Sequence, residues 1–292
     1  MPFDTPTDTQ AAPNKRRDIV SGNPFSVGDG FNALSFRHGM YEGAMDPLIM
    51  VDHFVMTEPT FGAHAHAGLS AVSILLEDSQ GRFHNKDSLG NDVDLMPGDL
   101  YWLKAGRGAV HDEKPRPGGH THALQVFVNL PARMKYDAPT SLHVKASDMP
   151  ILSGNGYRAR LMLGESGNAR GHSSPALPMT ILDVMLDAGG RFEHTVPTGK
   201  SAFILVIDGA ATARLDRKTV MLSRDESISF RRSDANQRLV LTAEAGAHIA
   251  ILQAAPVEER FVQKGPFAMS TQDEVDAMVA AHKDGKLGSI DA

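Results

Sequence analysis

Short apolar runs of about strand length, split by Gly, Pro, Asn or Asp, fill residues 17–130 of this 292-residue chain. Phe31–Phe36, Pro47–Met56, Leu69–Glu77, Leu100–Ala105 and Ala123–Leu130 are examples. Turn clusters such as Ser88-Leu89-Gly90-Asn91 and Met96-Pro97-Gly98-Asp99 separate several of them. The spacing predicts many short strands and almost no helix, which is the pattern of an all-β sandwich or barrel. A softer stretch, Pro131–Gly156, holds three prolines and few long apolar runs. The β pattern then resumes in Tyr157–Leu163, Met179–Leu186, Ala202–Ile207, Thr219–Leu222, Leu239–Leu241 and Ala247–Gln253. The expectation is two β domains of similar build, 17–131 and 157–292, with 132–156 as the connection. Residues 1–16 lack periodicity and read as a loose arm.

One helical pattern stands out. Thr271-Gln272-Asp273-Glu274 fits a capping box, and Val275, Met278, Val279 and His282 follow at i, i+3, i+4 and i+7. Gly285 stands where a C-terminal cap glycine belongs. This predicts a helix over 271–284, docked on the β body by its apolar stripe.

Composition narrows the chemistry. The hydrophobic and charged fractions, 41% and 22%, are those of an ordinary globular protein and exclude a mostly disordered chain. The absence of Cys excludes disulfides, thiolate metal sites and thiol catalysis. A net charge of −6 gives no footprint for bare nucleic acid or an anionic membrane. No apolar run reaches the ~20 residues of a membrane-spanning helix. The polar N-terminus lacks the apolar core of a secretory signal, so a cytoplasmic protein is expected.

Two short motifs carry the candidate chemistry. In His64-Ala65-His66 the imidazoles stand two residues apart, so a strand projects both to one face. The same rule puts His111 and Glu113 of His111-Asp112-Glu113 on one face and Asp112 on the other. Such pairs are individually weak evidence, because 13 histidines in the chain make them common. Enough strands and turns lie between the two motifs for the second to return antiparallel beside the first. Facing each other in a small barrel, the pairs supply three imidazoles and one carboxylate around one point. That set suits Fe(II) and, less selectively, Mn, Co, Ni or Zn. Four such ligands leave two positions of an octahedron open, as a reactive site requires.

Longer stretches are familiar. Asp46-Pro47-Leu48-Ile49-Met50-Val51-Asp52-His53-Phe54 followed by His64-Ala65-His66-Ala67-Gly68 resembles the opening of pirin proteins in the cupin superfamily. The run from Leu95 to Glu113, with its Ala-Gly-Arg-Gly-x-x-His-x-Glu block, is still more similar. Phe83-His84, Asp87-Ser88, Leu124–Pro131 and Gly265-Pro266-Phe267-Ala268-Met269 also match. The resemblance is dense from 46 to 131 and thin from 150 to 255. It implies a bicupin of two stacked jelly-roll barrels with a C-terminal helix. It also implies one metal ion, most often iron, in the N-terminal barrel, on His64, His66, His111 and Glu113.

The first motif departs from the usual pirin pattern. Ala65 stands for Pro, Ala67 for Arg, Leu69 for Phe and Ser70 for Glu. None is a ligand, but the loss of a charged pair is expected to change the pocket. In the second half, Phe192-Glu193-His194-Thr195 falls where a His pair would lie, with no partner motif, so that barrel is expected to be metal-free. His53 and His84 are read as hydrogen-bonding histidines, Trp102 as core, Asp99 as a turn residue, and His120 and His122 as a surface loop.

Two functions follow from the resemblance. One is a quercetinase-type dioxygenase that cleaves flavonols with O2, Glu113 accepting the substrate proton. The other is a metal-dependent or redox-sensing regulator that binds a protein partner.

Overall fold

The computed structural model describes residues 18–290; the expected arm at 1–16 lies outside them. Two β barrels are stacked. In the first, a seven-stranded antiparallel sheet runs in the order Thr140–Val144, Leu100–Lys104, Leu69–Leu75, Thr121–Asn129, Leu48–Met56, Phe31–Arg37, Asn23–Val27. A four-stranded sheet, His64–His66, Ala109–Pro115, Phe83–Asp87 and Asp92–Leu95, faces it. Phe31, Phe54, Leu75, Tyr101 and Leu103 of the large sheet pack with Phe83, Leu95 and Ala109 of the small one. The second barrel is built on Met179–Leu186, Ser201–Leu215 and Ala247–Ala254 around a core that includes Leu182, Phe192, Ile204, Leu239 and Ile249.

A third core lies between the barrels. Phe36, Val51, Val72, Trp102 and Val126 of the first pack against Met162, Ile181, Phe203, Leu205 and Leu252 of the second. The large sheet is therefore buried on both faces, which is why its strands read as continuous apolar runs rather than as alternation. Arg191–Val196, at the far side of the second barrel, shows the opposite pattern and alternates exposed and buried residues.

Polar ties cross the seam. Arg160, 1% exposed, donates from Nη1 to the Gly98 carbonyl at 2.8 Å and from Nε and Nη2 to Asp183 Oδ2 at 3.0 and 2.6 Å. His248 donates to the other Asp183 oxygen. Ser229 Oγ donates to the Ala44 carbonyl at 2.7 Å and Ser201 Oγ to the Asp46 carbonyl at 2.8 Å.

Two assignments made from sequence need correction. The strand Ile19–Ser21 pairs with Glu226–Phe230, so the first described strand belongs to the second barrel's sheet. The 132–156 stretch is shared rather than a bare connection. Thr140–Val144 extends the first sheet through Leu100–Lys104, and Ile151–Gly154 pairs with Tyr157–Leu163. The helix, Gln272–Lys283, carries the expected Thr271–Glu274 capping box and docks on the β body as expected, against the first barrel. Val275, Met278, Val279 and Ala281 lie against Ala65, Ala67 and Val110, while His282 is left exposed. The pairings of Ile19–Ser21 with Glu226–Phe230 and of Thr140–Val144 with Leu100–Lys104 are long-range and invisible to local periodicity. No helix among the described residues is long and apolar enough to cross a membrane.

Replacing Arg160 by Met would leave the buried Asp183 carboxylate with His248 as its remaining partner and the Gly98 carbonyl without its donor. Breaking a buried charge pair costs about 3–5 kcal/mol, so urea titration of the variant should show a loss of that size. A loss below about 1 kcal/mol would show that the Arg160 tie contributes little to the stacking.

Candidate metal centre

The site is assembled by one strand pair. His64–His66 pairs antiparallel with Ala109–Pro115, placing His111 directly opposite His64 and Ala109 opposite His66. All three imidazoles consequently share the barrel-facing side. Ala65 and Val110 turn to the other face, where the C-terminal helix covers them. The following turn is held tightly. Gly68 has φ +72°, and a Cβ there would lie 2.0 Å from the Ala268 carbonyl oxygen, so only glycine fits. Buried Lys135 donates to the Gly68 and Ala268 carbonyls at 2.9 and 2.8 Å and to Asn129 Oδ1 at 2.7 Å.

The three Nε2 atoms converge. His111 Nε2 lies 3.0 Å from His66 Nε2 and 3.1 Å from His64 Nε2. His66 and His111 are 1% and 2% exposed, and His64 is the member nearest solvent. Burial holds the pKa of all three below the usual imidazole value, and that of His66 and His111 well below it. His64 Nδ1 donates to the Gly62 carbonyl at 2.9 Å. A carbonyl only accepts, so the proton sits on Nδ1 and Nε2 presents a bare lone pair to the cluster. Three neutral, buried, converging imidazoles are a donor set for a divalent transition metal.

Glu113 lies beside this cluster. The ligand atoms within 4.8 Å of one another come from His64, His66 and His111. Glu113 Oε2 stands 3.8 Å from the other nitrogen of His111, Nδ1, and Oε1 accepts from Ser73 Oγ at 2.7 Å. Burial is the main cause that lifts the Glu113 carboxyl to about 7.

Several residues of this chamber were not picked out by sequence reasoning. Ser73 also reaches Gln125 Oε1 at 3.1 Å, and Ser35 donates to Asp52 at 2.5 Å. Phe127 meets the His66 ring edge-on at 5.1 Å. A signal was present at Gln125, a single polar residue inside a strand-length apolar run; Asp52 adjoins His53, and Ser73 shares its run with Ser70. Gln125 and Phe127 are partly exposed although they lie on a central strand whose other face is covered by the second barrel. Their exposure is therefore on the inner face of the sheet, the side that carries the imidazoles.

The remaining candidates fall elsewhere. His84 Nε2 bonds Asp92 at 2.7 Å, and Trp102 is core. Asp99 accepts from the Met96 and Ala146 amides at 3.0 and 2.8 Å, as a turn residue does. His122, expected in a surface loop, starts the strand Thr121–Asn129, with Nε2 2.7 Å from His53 Nε2. In the second barrel both ring nitrogens of His194 are engaged, by Ser166 and Gln253 at 2.9 Å each. The departures at Ala67 and Ser70 do not empty the chamber of charge. Ala67 packs beneath Phe267, and Ser70 shares its strand face with Val72 and Ile74, away from the imidazoles.

Comparison with known proteins points the same way. Residues 7–128 match the family model described as Pirin, and residues 181–288 match the Pirin C-terminal cupin domain. A Pseudomonas aeruginosa protein, provisionally named a quercetin 2,3-dioxygenase, is 30% identical over 93% of this chain and 98% of its own length. Human pirin is 28% identical over 84% of this chain and 83% of its own. The crystal structure of a quercetin 2,3-dioxygenase from Acinetobacter baumannii superposes with a TM-score of 0.82 at 28% identity, covering 94% of this chain and 98% of that one.

His111→Ala removes the nitrogen that lies closest to both others, leaving two donors. Elemental analysis of this variant should show most of the metal gone, and full retention would refute the cluster as the metal's seat. Because burial keeps the imidazoles unprotonated, metal retention after dialysis by a Glu113→Gln variant, which removes the carboxyl that titrates at about 7, should stay constant from about pH 8 down to the ordinary imidazole value of ~6.5. Loss should set in only at lower pH. Half-loss above ~6.5 would contradict the buried, neutral state.

Proposed function

Because the chain belongs to the pirin family, with a buried imidazole cluster in its first barrel, we propose that it is a metal-dependent dioxygenase acting on flavonol-like small molecules. The partial exposure of His64, Gln125 and Phe127 around the cluster carries this reading: a purely structural metal needs no solvent-reached face. Those three histidines would hold the metal, iron by the character of the donor set, and Glu113 would complete that set. When bound, the metal lowers the pKa of a coordinated hydroxyl and brings substrate and O2 together.

The chain's own residues supply the rest. Ser73 occupies Glu113 Oε1 and so fixes the carboxylate plane, leaving Oε2 to accept the proton of a substrate hydroxyl. Phe127, edge-on to His66, gives an aromatic ring of substrate an apolar wall. The Gly62 carbonyl and the helix-backed strand hold the imidazoles in place before substrate arrives, so little reorganisation is needed.

The decay of flavonol absorbance in air tests this. Metal-loaded protein should show O2-dependent decay, and metal-free protein none. Glu113→Gln keeps the side chain's shape but cannot take the proton, so the rate should fall about 10²–10⁴-fold, with metal content measured in parallel. A fully loaded wild-type protein without decay would sink the oxygenase reading for this substrate and favour the regulatory alternative. A Gln variant with full metal and full rate would place the base elsewhere.

A further inference from the structure

The chamber has a polar layer that the reaction as described does not use. Register places Ser35, Asp52, Gln125 and Ser73 side by side on four adjacent strands. They form one row across the inner face of the large sheet. Glu113 and Asn85 are register partners on the small sheet opposite. Apolar groups close the layer from both sides. Phe54, Leu75 and Phe83 lie on one side, and Met50, Ala71 and the Phe127 wall lie on the other, towards the imidazoles.

Two amides in this layer are left incomplete. Asn85 is 0% exposed; the Tyr101 hydroxyl is a polar neighbour, but neither Nδ2 nor Oδ1 makes a hydrogen bond of good geometry. Gln125 Nε2 is likewise buried and unpartnered. Its Oε1 shares the single Ser73 proton with Glu113, so Gln125 is weakly held even at its other end. Unpaired buried amides are costly, and native interiors keep few of them. Here they flank Glu113, one layer from the partly exposed Phe127 and the imidazoles.

We propose that Gln125 and Asn85 are the specificity-determining residues of the chamber, and that they recognise the adjacent carbonyl and hydroxyl oxygens of a planar α-hydroxycarbonyl ligand. The Gln125 amide donates to the carbonyl oxygen. Asn85, which can both donate and accept, pairs with a hydroxyl oxygen. The ring system lies against Phe127 and Met50, and Glu113 faces the hydroxyl proton. The amides reject analogues that leave them unpaired, because a buried polar group without its partner is penalised more than a matched one is rewarded. This assignment rests on the proposed oxygenase reading for the ligand class, but it concerns binding and not turnover.

Equilibrium binding to metal-loaded protein without O2, followed by the ligand's absorbance change, tests it. Wild-type protein should bind 3-hydroxyflavone at least ~10-fold more tightly than flavone, which lacks the hydroxyl. Equal affinity for the two, or no binding of 3-hydroxyflavone, overturns the proposal without any mutant. Gln125→Leu and Asn85→Leu should each weaken 3-hydroxyflavone binding about 10-fold or more and shrink its preference over flavone, with metal content unchanged. A folded Leu variant with wild-type preference overturns the role of that residue. If Asn85→Leu does not fold, Asn85→Asp, which keeps the acceptor and the size but not the donor, should also reduce the preference, and an unchanged preference counts against Asn85. Tight, selective binding without turnover in air would sink the oxygenase reading and leave this one standing. Turnover in air with equal affinity for both ligands would do the reverse.

Discussion

Two of the three clustered imidazoles sit on a strand only three residues long, and its register against Ala109–Pro115 makes the cluster. A slip of one residue would turn His64 and His66 towards the C-terminal helix and put Ala65 in the chamber. Three residues of ladder hydrogen bonding cannot enforce that alone. The enforcement comes from the back of the strand, where Ala65, Ala67 and Val110 are buried under Phe267, Val275 and Leu287. It is completed at the turn, where Lys135 ties Gly68 to Ala268 and the close approach of the two backbones excludes any side chain at Gly68. The last segment of the chain thus holds the metal-site strand in register.

The second barrel has a related role. By covering the outer face of the large sheet it makes that sheet's central strands rigid, and these strands carry Ser73, Gln125 and Phe127 into the chamber. A side chain on a strand packed from both faces has few rotamers to choose from, which favours fixed placement of Ser73 against Glu113. The polar layer costs stability in what would otherwise be a continuous apolar barrel core. Apolar layers on either side of it, and the wide apolar seam between the barrels, offset that cost. In the second barrel both ring nitrogens of His194 are engaged, by Ser166 and Gln253.

Local pattern in the sequence was enough for much of this. Strand-length apolar runs located the strands of the large sheet because burial on two faces leaves no room for polar alternation. The two-residue spacing of His64 with His66, and of His111 with Glu113, fixed which side chains share a face, since that is a property of any strand. The capping box at Thr271 and Glu274 and the glycine at 285 marked the helix ends, because caps are chemistry of adjacent residues. The family resemblance extended these local readings to a two-barrel architecture.

Tertiary structure alone decided the rest, and each case is a contact between residues far apart in the chain. Val275 lies on a recognisable stripe, yet nothing near it in sequence says that the stripe covers Ala65 and Val110. Ala67 and Ser70 stand where the family carries charge, but only the packing shows that both face away from the imidazoles. Along the chain Ser73 and Gln125 are polar residues within apolar strands and no more. Their meaning depends on Glu113, 40 residues from Ser73, arriving at the same level of the opposite sheet. Periodicity reports which way a side chain points along its own strand; what stands opposite it is set by register between strands, and register is fixed by the whole packed barrel.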